Sequence, residues 1–100
     1  MLQVSFPDFV GFDWDAGNSE KNRIKHSVGC YECEQIFFNK PIVILPDIKH
    51  SSLEKRLSAF GQTDAGRQLT IVFTMRGSQI RIISARDMNK KEREFCRQNG

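Results

Sequence analysis

"FGQTDAGRQLTIVFTMRGSQIRIISAR", residues 60–86, decides the architecture. Three β-rich runs, roughly Glu54 to Gln62, Arg67 to Met75 and Gln79 to Arg86, are joined by TDAGR and RGSQ, and connections this short predict an antiparallel meander. Asp64-Ala65-Gly66 suits a three-residue hairpin loop with Gly66 in the left-handed position, which sets Thr63 against Arg67. Counting back, Arg56 faces Thr74, Leu57 joins Phe73 and Ala59 joins Ile71. Gly77-Ser78, taken as a two-residue loop, sets Thr74 opposite Arg81 and Phe73 opposite Ile82. Because strand side chains alternate, one face collects Leu57, Ala59, Leu69, Ile71, Phe73, Met75, Ile80 and Ile82 as a core. The other face brings Arg56, Thr74 and Arg81 side by side. A one-residue change in the first turn exchanges Arg56 for Lys55, so a basic neighbour survives either register. Arg86 falls on the apolar parity, at the end of its strand.

Upstream, a short opening strand is predicted near Val10 to Asp13. DAGNSEKNRIKH, residues 15–26, reads as a polar surface helix capped by Asp15, with Ile24 among its few apolar anchors. CYECEQIFF, residues 30–38, places Cys30, Cys33, Ile36 and Phe37 at helical spacing, and Asn39 followed by Pro41 ends that helix. PIVIL, residues 41–45, is a β-branched run bounded by prolines, which suits an edge strand. Downstream, Asn89 with Glu92 three residues later makes a capping-box-like start to a terminal helix anchored mainly by Met88 and Phe95. So few apolar groups hold that helix that it is able to detach. The fold class predicted is α+β: an antiparallel meander with N-terminal helices packed on its apolar face, a short C-terminal helix and a basic opposite face.

At 100 residues the chain has room for one domain, 1–100, around one core. Apolar residues at 39% and charged residues at 27% exclude the disordered class. The opening residues lack a basic leader with a long apolar run, and 18 consecutive apolar residues occur nowhere, so a soluble cytoplasmic protein is expected and a membrane partner is not. Three cysteines are too few, and of the wrong parity, for a secreted disulfide framework. Net charge is +3, but residues 76–100 carry +4 and residues 1–75 carry −1. One end therefore attracts a polyanion, or else presents a solvated helix face.

Cys30 and Cys33 have the spacing of a metal or redox pair, but no second pair completes four ligands, and two small apolar residues on a buried helix stripe is the better reading. No metal or cofactor is expected. His26, beside Lys25, is a candidate proton carrier or a charge placed against a helix end. Cleavage of RNA by its own 2′-hydroxyl needs an oriented attacking oxygen, stabilisation of the phosphorane and two proton transfers. Guanidinium groups on a rigid sheet supply the second of these, and Lys25 or His26 the third. The plainer alternative makes Arg56 and Arg81 solvated partners of Glu54 and other acids.

FDWD at 12–15, Asn22, KH at 25–26, EKR at 54–56, FGQTDAGRQLTIVFTMRG at 60–77, RIISAR at 81–86 and KKER at 90–93 together resemble the BrnT family, toxins of type II toxin-antitoxin systems. The resemblance runs from Phe12 to about Cys96. It implies a RelE-like fold and a small bacterial ribonuclease that inhibits translation. It also implies a BrnA-like antitoxin of ribbon-helix-helix type, which wraps the toxin and binds its own operator, so that operator DNA is met only through the complex. The polar residues matching the family pattern are Lys25, His26, Glu54, Arg56, Thr74, Arg76, Arg81, Ser84, Arg86, Glu92 and Arg93. Three positions depart from it. KHSV stands for KHGV, Asn18 stands for a lysine, and Phe95 with Cys96 replace a tyrosine near the end.

Lys25, His26, Arg56 and Arg81 are thus the candidate catalytic residues, with Arg56 and Arg81 on the phosphorane and Lys25 or His26 on protons. Thr74, Arg76, Ser84 and Arg86 are the candidate RNA-binding residues. The alternative is a degenerate, non-catalytic toxin that still binds a protein partner or an operator complex.

Overall fold

The computed structural model describes residues 8–19, 26–50 and 54–99. Five strands form one sheet: β1 (Gly11–Phe12), β2 (Val43–Pro46), β3 (Leu57–Gln62), β4 (Gln68–Arg76) and β5 (Gln79–Asp87), in the order β1-β5-β4-β3-β2. Helix α1 (Cys30–Ile36) lies between β1 and β2, and α2 (Lys90–Asn99) follows β5. The class is α+β, as the sequence indicates, but the sheet is mixed. The opening strand pairs parallel with β5, Gly11 against Gln79 and Phe12 against Ile80, whereas every other pairing is antiparallel.

The meander has the register counted from its turns. Leu57 faces Phe73, Ala59 faces Ile71, Phe73 faces Ile82 and Thr74 faces Arg81. Gly66, at φ +88°, takes the left-handed position that a side chain would strain, and Thr63 closes the loop by donating its N–H to the Arg67 carbonyl at 2.9 Å. β3 begins at Leu57 rather than Glu54, so Arg56 stands one residue before it. Continuing the register still sets Arg56 toward Thr74, whose hydroxyl donates to the Lys55 carbonyl at 2.7 Å.

One expectation is overturned by a β-bulge. Val72 faces Ser84 while Phe73 faces Ile82, so Ile83 is an extra residue in β5. Alternation restarts beyond it: Ala85 enters the core, fully buried, and Arg86 pairs with Thr70 on the opposite face. Arg86 therefore leaves the apolar parity and joins the face of Thr74 and Arg81.

The core forms where α1 covers the sheet. Cys33 and Ile36 are fully buried, Phe37 nearly so, and the Phe37 ring meets Phe73 edge-on at 5.2 Å. Side chains of this size contribute about 1.5–3 kcal/mol each when removed from water. All the predicted core positions of the meander are buried except Met75, which packs partly exposed at the margin. Close approach explains Gly61: a Cβ there would stand 3.1 Å from Cβ and 3.3 Å from the carbonyl oxygen of Ile36. Glu32, in the first turn of α1, accepts the Gly29 N–H at 3.2 Å, which fixes where the helix starts. The helix ends at Ile36, three residues before Asn39.

Asp15 caps the N-terminal helical residues 16–19 by accepting the Asn18 N–H at 3.2 Å. Ile24, the expected anchor of that segment, lies outside the described residues. Asn18, where the family carries lysine, is buried and donates its amide to the carbonyls of Asp13 and Ile82 at 3.0 and 3.1 Å. It thereby takes up a backbone group of β5 beyond the reach of β1.

α2 does not join the other helical packing. It lies on the opposite face, with Phe95 edge-on to Phe60 at 6.3 Å, so the basic face is partly covered rather than bare. None of its residues is buried. Asn89 and Glu92 exchange the two capping hydrogen bonds, each 2.9 Å, as their spacing predicts.

Candidate functional site

On the face away from α1, β4 and β5 set three pairs in a row: Thr74 with Arg81, Val72 with Ser84, and Thr70 with Arg86. The two arginines bracket Ser84, and each holds a carboxylate. Arg81 Nη1 lies 3.0 Å from Asp15 Oδ2 and 3.6 Å from Asp13 Oδ2. Hydrogen bonding to Asp15 raises the Arg81 pKa and in turn holds the Asp15 carboxyl below the ordinary carboxylate range. Arg86 grips Glu92 with both terminal nitrogens, at 2.7 and 2.8 Å, in the fork geometry that also suits phosphate.

Glu92 is the most heavily hydrogen-bonded acid on this face. Thr70 Oγ1 and the Asn89 N–H each donate to its Oε1 at 2.9 Å, beside Arg86. Burial pushes its pKa up, but the Arg86, Asn89 and Thr70 hydrogen bonds outweigh burial and hold it below the ordinary range. A carboxyl whose folded pKa is depressed stabilises the folded state above its unfolded pKa and loses that contribution as pH falls through the folded value. Acidification below the ordinary glutamate value of 4.5 is therefore expected to free α2 first. Amide exchange by NMR at Arg93 to Asn99 should quicken while β4 and β5 stay protected.

At the turn end of the same face, Glu54 lies between Arg56 and Arg76, 4.0 Å from Arg56 Nη2 and 3.6 Å from Arg76 Nε. Arg56 and Glu54 are about a third exposed and Arg76 about half, and at separations of 3.6–4.0 Å these pairs are weak. The structure thus brings Thr74, Arg81, Ser84 and Arg86 onto one surface, with Arg56 and Arg76 joined at its margin. Lys25 lies outside the described residues.

His26 is placed elsewhere. Its carbonyl accepts from Arg67 Nη2 at 3.4 Å, and its charge helps to lower the Asp87 pKa, an effect led by the Arg67 hydrogen bond to Asp87. Asp87 lies six residues along β5 from Arg81, roughly 20 Å at the usual strand rise. Asp87 pairs with the core residue Leu69, so His26 stands on the α1 side of the sheet at the end of β5, across the sheet from Arg86 and away from Arg56 and Arg81.

The residue that holds His26 there is Arg67, which the sequence shows only as a turn residue. Its Nε and Nη2 bind the two oxygens of Asp87 at 2.7 and 3.1 Å, and Nη1 binds both oxygens of Glu32 at 3.1 Å and the Ser27 carbonyl at 3.0 Å. One guanidinium thus ties the end of β5, the first turn of α1 and the His26–Ser27 backbone together. Ser27 has φ +56°, a conformation natural to glycine and strained for other residues. This is the position at which the family pattern KHGV has its glycine. Ser27→Gly is expected to stabilise the fold by about 0.5 kcal/mol, strain relief exceeding the added freedom of the unfolded chain, as read from the urea midpoint.

Of the cysteine pair Cys33 behaves as packing, while Cys30 is only partly buried. Cys33 is fully buried and desolvation pushes its thiol up to about 12, which suppresses thiolate chemistry. Among the described residues no group of three or more His, Cys, Asp and Glu side chains is arranged to hold a metal ion. Nor is any of their helices long and apolar enough to cross a membrane.

No curated protein matches the chain closely enough to supply a relative. The family model described as "Ribonuclease toxin, BrnT, of type II toxin-antitoxin system" matches residues 14–92, a span that contains the guanidinium row, its partners Asp15 and Glu92 and the Arg67 junction. With RIISAR supplying both arginines of that row, the chain belongs to the BrnT family of type II toxins.

Proposed function

We propose that this protein is an endoribonuclease that cleaves RNA by transfer to its own 2′-hydroxyl, without a metal ion. The observation that carries this reading is the bulge at Ile83, which turns Arg86 onto the face of Arg81 and so builds two guanidinium groups into one rigid surface flanking Ser84. The 2′-oxygen attacks the adjacent phosphorus, the bond to the 5′-oxygen breaks, and a 2′,3′-cyclic phosphate and a free 5′-hydroxyl result. One proton leaves the 2′-hydroxyl and one reaches the departing oxygen.

In this scheme Arg81, assisted by Arg56, stabilises the added negative charge of the phosphorane, for which preorganised donors are the most effective device. Arg76 and Arg86 hold flanking phosphates, and Ser84 offers its hydroxyl to the backbone between them, whereas Thr74 is buried with its hydroxyl donated to the Lys55 carbonyl. Lys25 or His26 moves protons, since an arginine is too basic to do so. His26 stands beside the Arg67–Asp87 pair on the α1 side of the sheet, so in this role it would have to reach the phosphate around the end of β5. Arg56, Arg76, Arg81 and Arg86 each meet a carboxylate, and RNA phosphates would take the places that those carboxylates hold.

As the partner we propose a BrnA-like antitoxin of ribbon-helix-helix type, through which operator DNA is reached, with arrest of translation as the outcome of release. Purified protein incubated with a labelled RNA and with its all-2′-deoxy counterpart should cut the first, with chelator present, and leave the second intact. Equal cutting of both sinks the mechanism. The saturation of the guanidinium groups by acids supports a second reading, a non-catalytic binding module, and that reading requires both strands to survive.

A further inference from the structure

The Arg86 subsite is already full. Four donors converge on the carboxylate of Glu92: two from Arg86 at 2.7 and 2.8 Å, the Thr70 hydroxyl at 2.9 Å and the Asn89 N–H at 2.9 Å. Such a set is what a phosphodiester oxygen pair also requires. We propose that Glu92 stands in for an RNA phosphate, and that RNA enters this subsite by displacing α2 from the sheet. The inference rests on the reading of this face as an RNA site.

α2 is suited to such an exchange. No residue of it is buried, and its hold on the sheet includes the Glu92 cluster, the Phe95 ring against Phe60 and Cys96 beside Val43 and Gly61. Its attachment point is the Asn89 capping turn, directly after the buried Met88, so the helix can swing while β5 stays anchored. Swinging exposes Phe60, which faces Thr70 across β3 and β4, beside Arg86 across β4 and β5. A ring for base stacking, a hydroxyl and a guanidinium for the adjoining phosphate then lie on one surface. The swap is close to balanced, because one anion replaces another on the same donors. Nor does the freed helix repel RNA, since it carries Lys90, Lys91, Arg93 and Arg97 against Glu92 and Glu94.

The test uses the full chain and a 2′-O-methyl oligonucleotide, which can bind but lacks the attacking hydroxyl. Bound oligonucleotide should abolish the exchange protection of the α2 amides, and Glu92→Gln should bind it roughly tenfold more tightly, a change of about 1.4 kcal/mol. Phe95→Ala, which loosens the helix without touching Arg86, should also tighten binding, and it decides the matter if Glu92→Gln fails to fold. The gain from Glu92→Gln should vanish when Arg86→Gln is added. Oligonucleotide bound with α2 still protected, or variants that bind no better than the parent, overturns the exchange while leaving the ribonuclease reading standing. A parent chain that neither binds the oligonucleotide nor cuts its all-RNA counterpart removes both.

Discussion

Arg81→Gln is expected to lower RNA cleavage by about two to three orders of magnitude while leaving the fold in place. That size is typical of removing one preorganised donor from a site where negative charge develops. The side chain is well placed to act as one. It is itself only 16% exposed, rises from the middle of the sheet, and is aimed by Asp13 and Asp15, of which Asp15 is more than half exposed. Its removal strands no deeply buried acid, so the stability cost should stay near 1 kcal/mol or below. Arg81→Lys should recover little of the rate, because an ammonium keeps the charge and loses the planar fork. Rates on a labelled RNA, set beside the thermal midpoint of each variant, check both halves of the claim. Cleavage within a few-fold of the parent, in a folded Arg81→Gln protein, removes Arg81 from the chemistry.

The largest stability loss outside the core should come from Arg67→Met. It leaves the Glu32 and Asp87 carboxylates, 3.1 Å and less from the lost nitrogens, without their cation. It also takes the Arg67 donors from the carbonyls of His26 and Ser27 and removes a contact that holds Ser27 at a positive φ. Charge-assisted hydrogen bonds are worth about 1.5–3 kcal/mol each, but partial exposure of the two acids discounts them. A total of about 2–3 kcal/mol is expected from urea unfolding. Arg67→Lys should restore less than half, since one ammonium cannot serve Asp87, Glu32 and two carbonyls at once. A loss under about 0.5 kcal/mol means the junction is surface decoration. If His26 carries a proton, the methionine variant should also lose cleavage beyond what its folded fraction accounts for.

The meander's register was legible because Asp64-Ala65-Gly66 and Gly77-Ser78 permit few loop geometries, and a loop fixes the pairing of everything behind it. The bulge was missed, yet it left a trace: strict alternation from Ile80 drives Arg86 into the apolar side, and a charged residue on that parity signals an extra residue upstream. The placement of α2 was open, since a short helix with few apolar groups offers no strong preference for either face. The parallel strand and the Arg67 junction were beyond reach for another reason. Arg67 finds its partners 20 to 41 residues away, and no local pattern encodes a contact at that distance. Of the candidate site, the residue types were legible and their grouping only in part, since His26 lies on the α1 side of the sheet beside Arg67 and Asp87.

The borders of the sheet bear on a different problem, the survival of the protein at high local concentration. β1 is two residues long, and past it the Asn18 amide takes up the Ile82 carbonyl that a foreign strand would seek. On the far side β2 is four residues long, follows Pro41 and ends on Pro46, which has no N–H to offer an incoming chain. Both margins are therefore poor templates for edge-to-edge growth, and the molecule is guarded against building fibrils with its own copies.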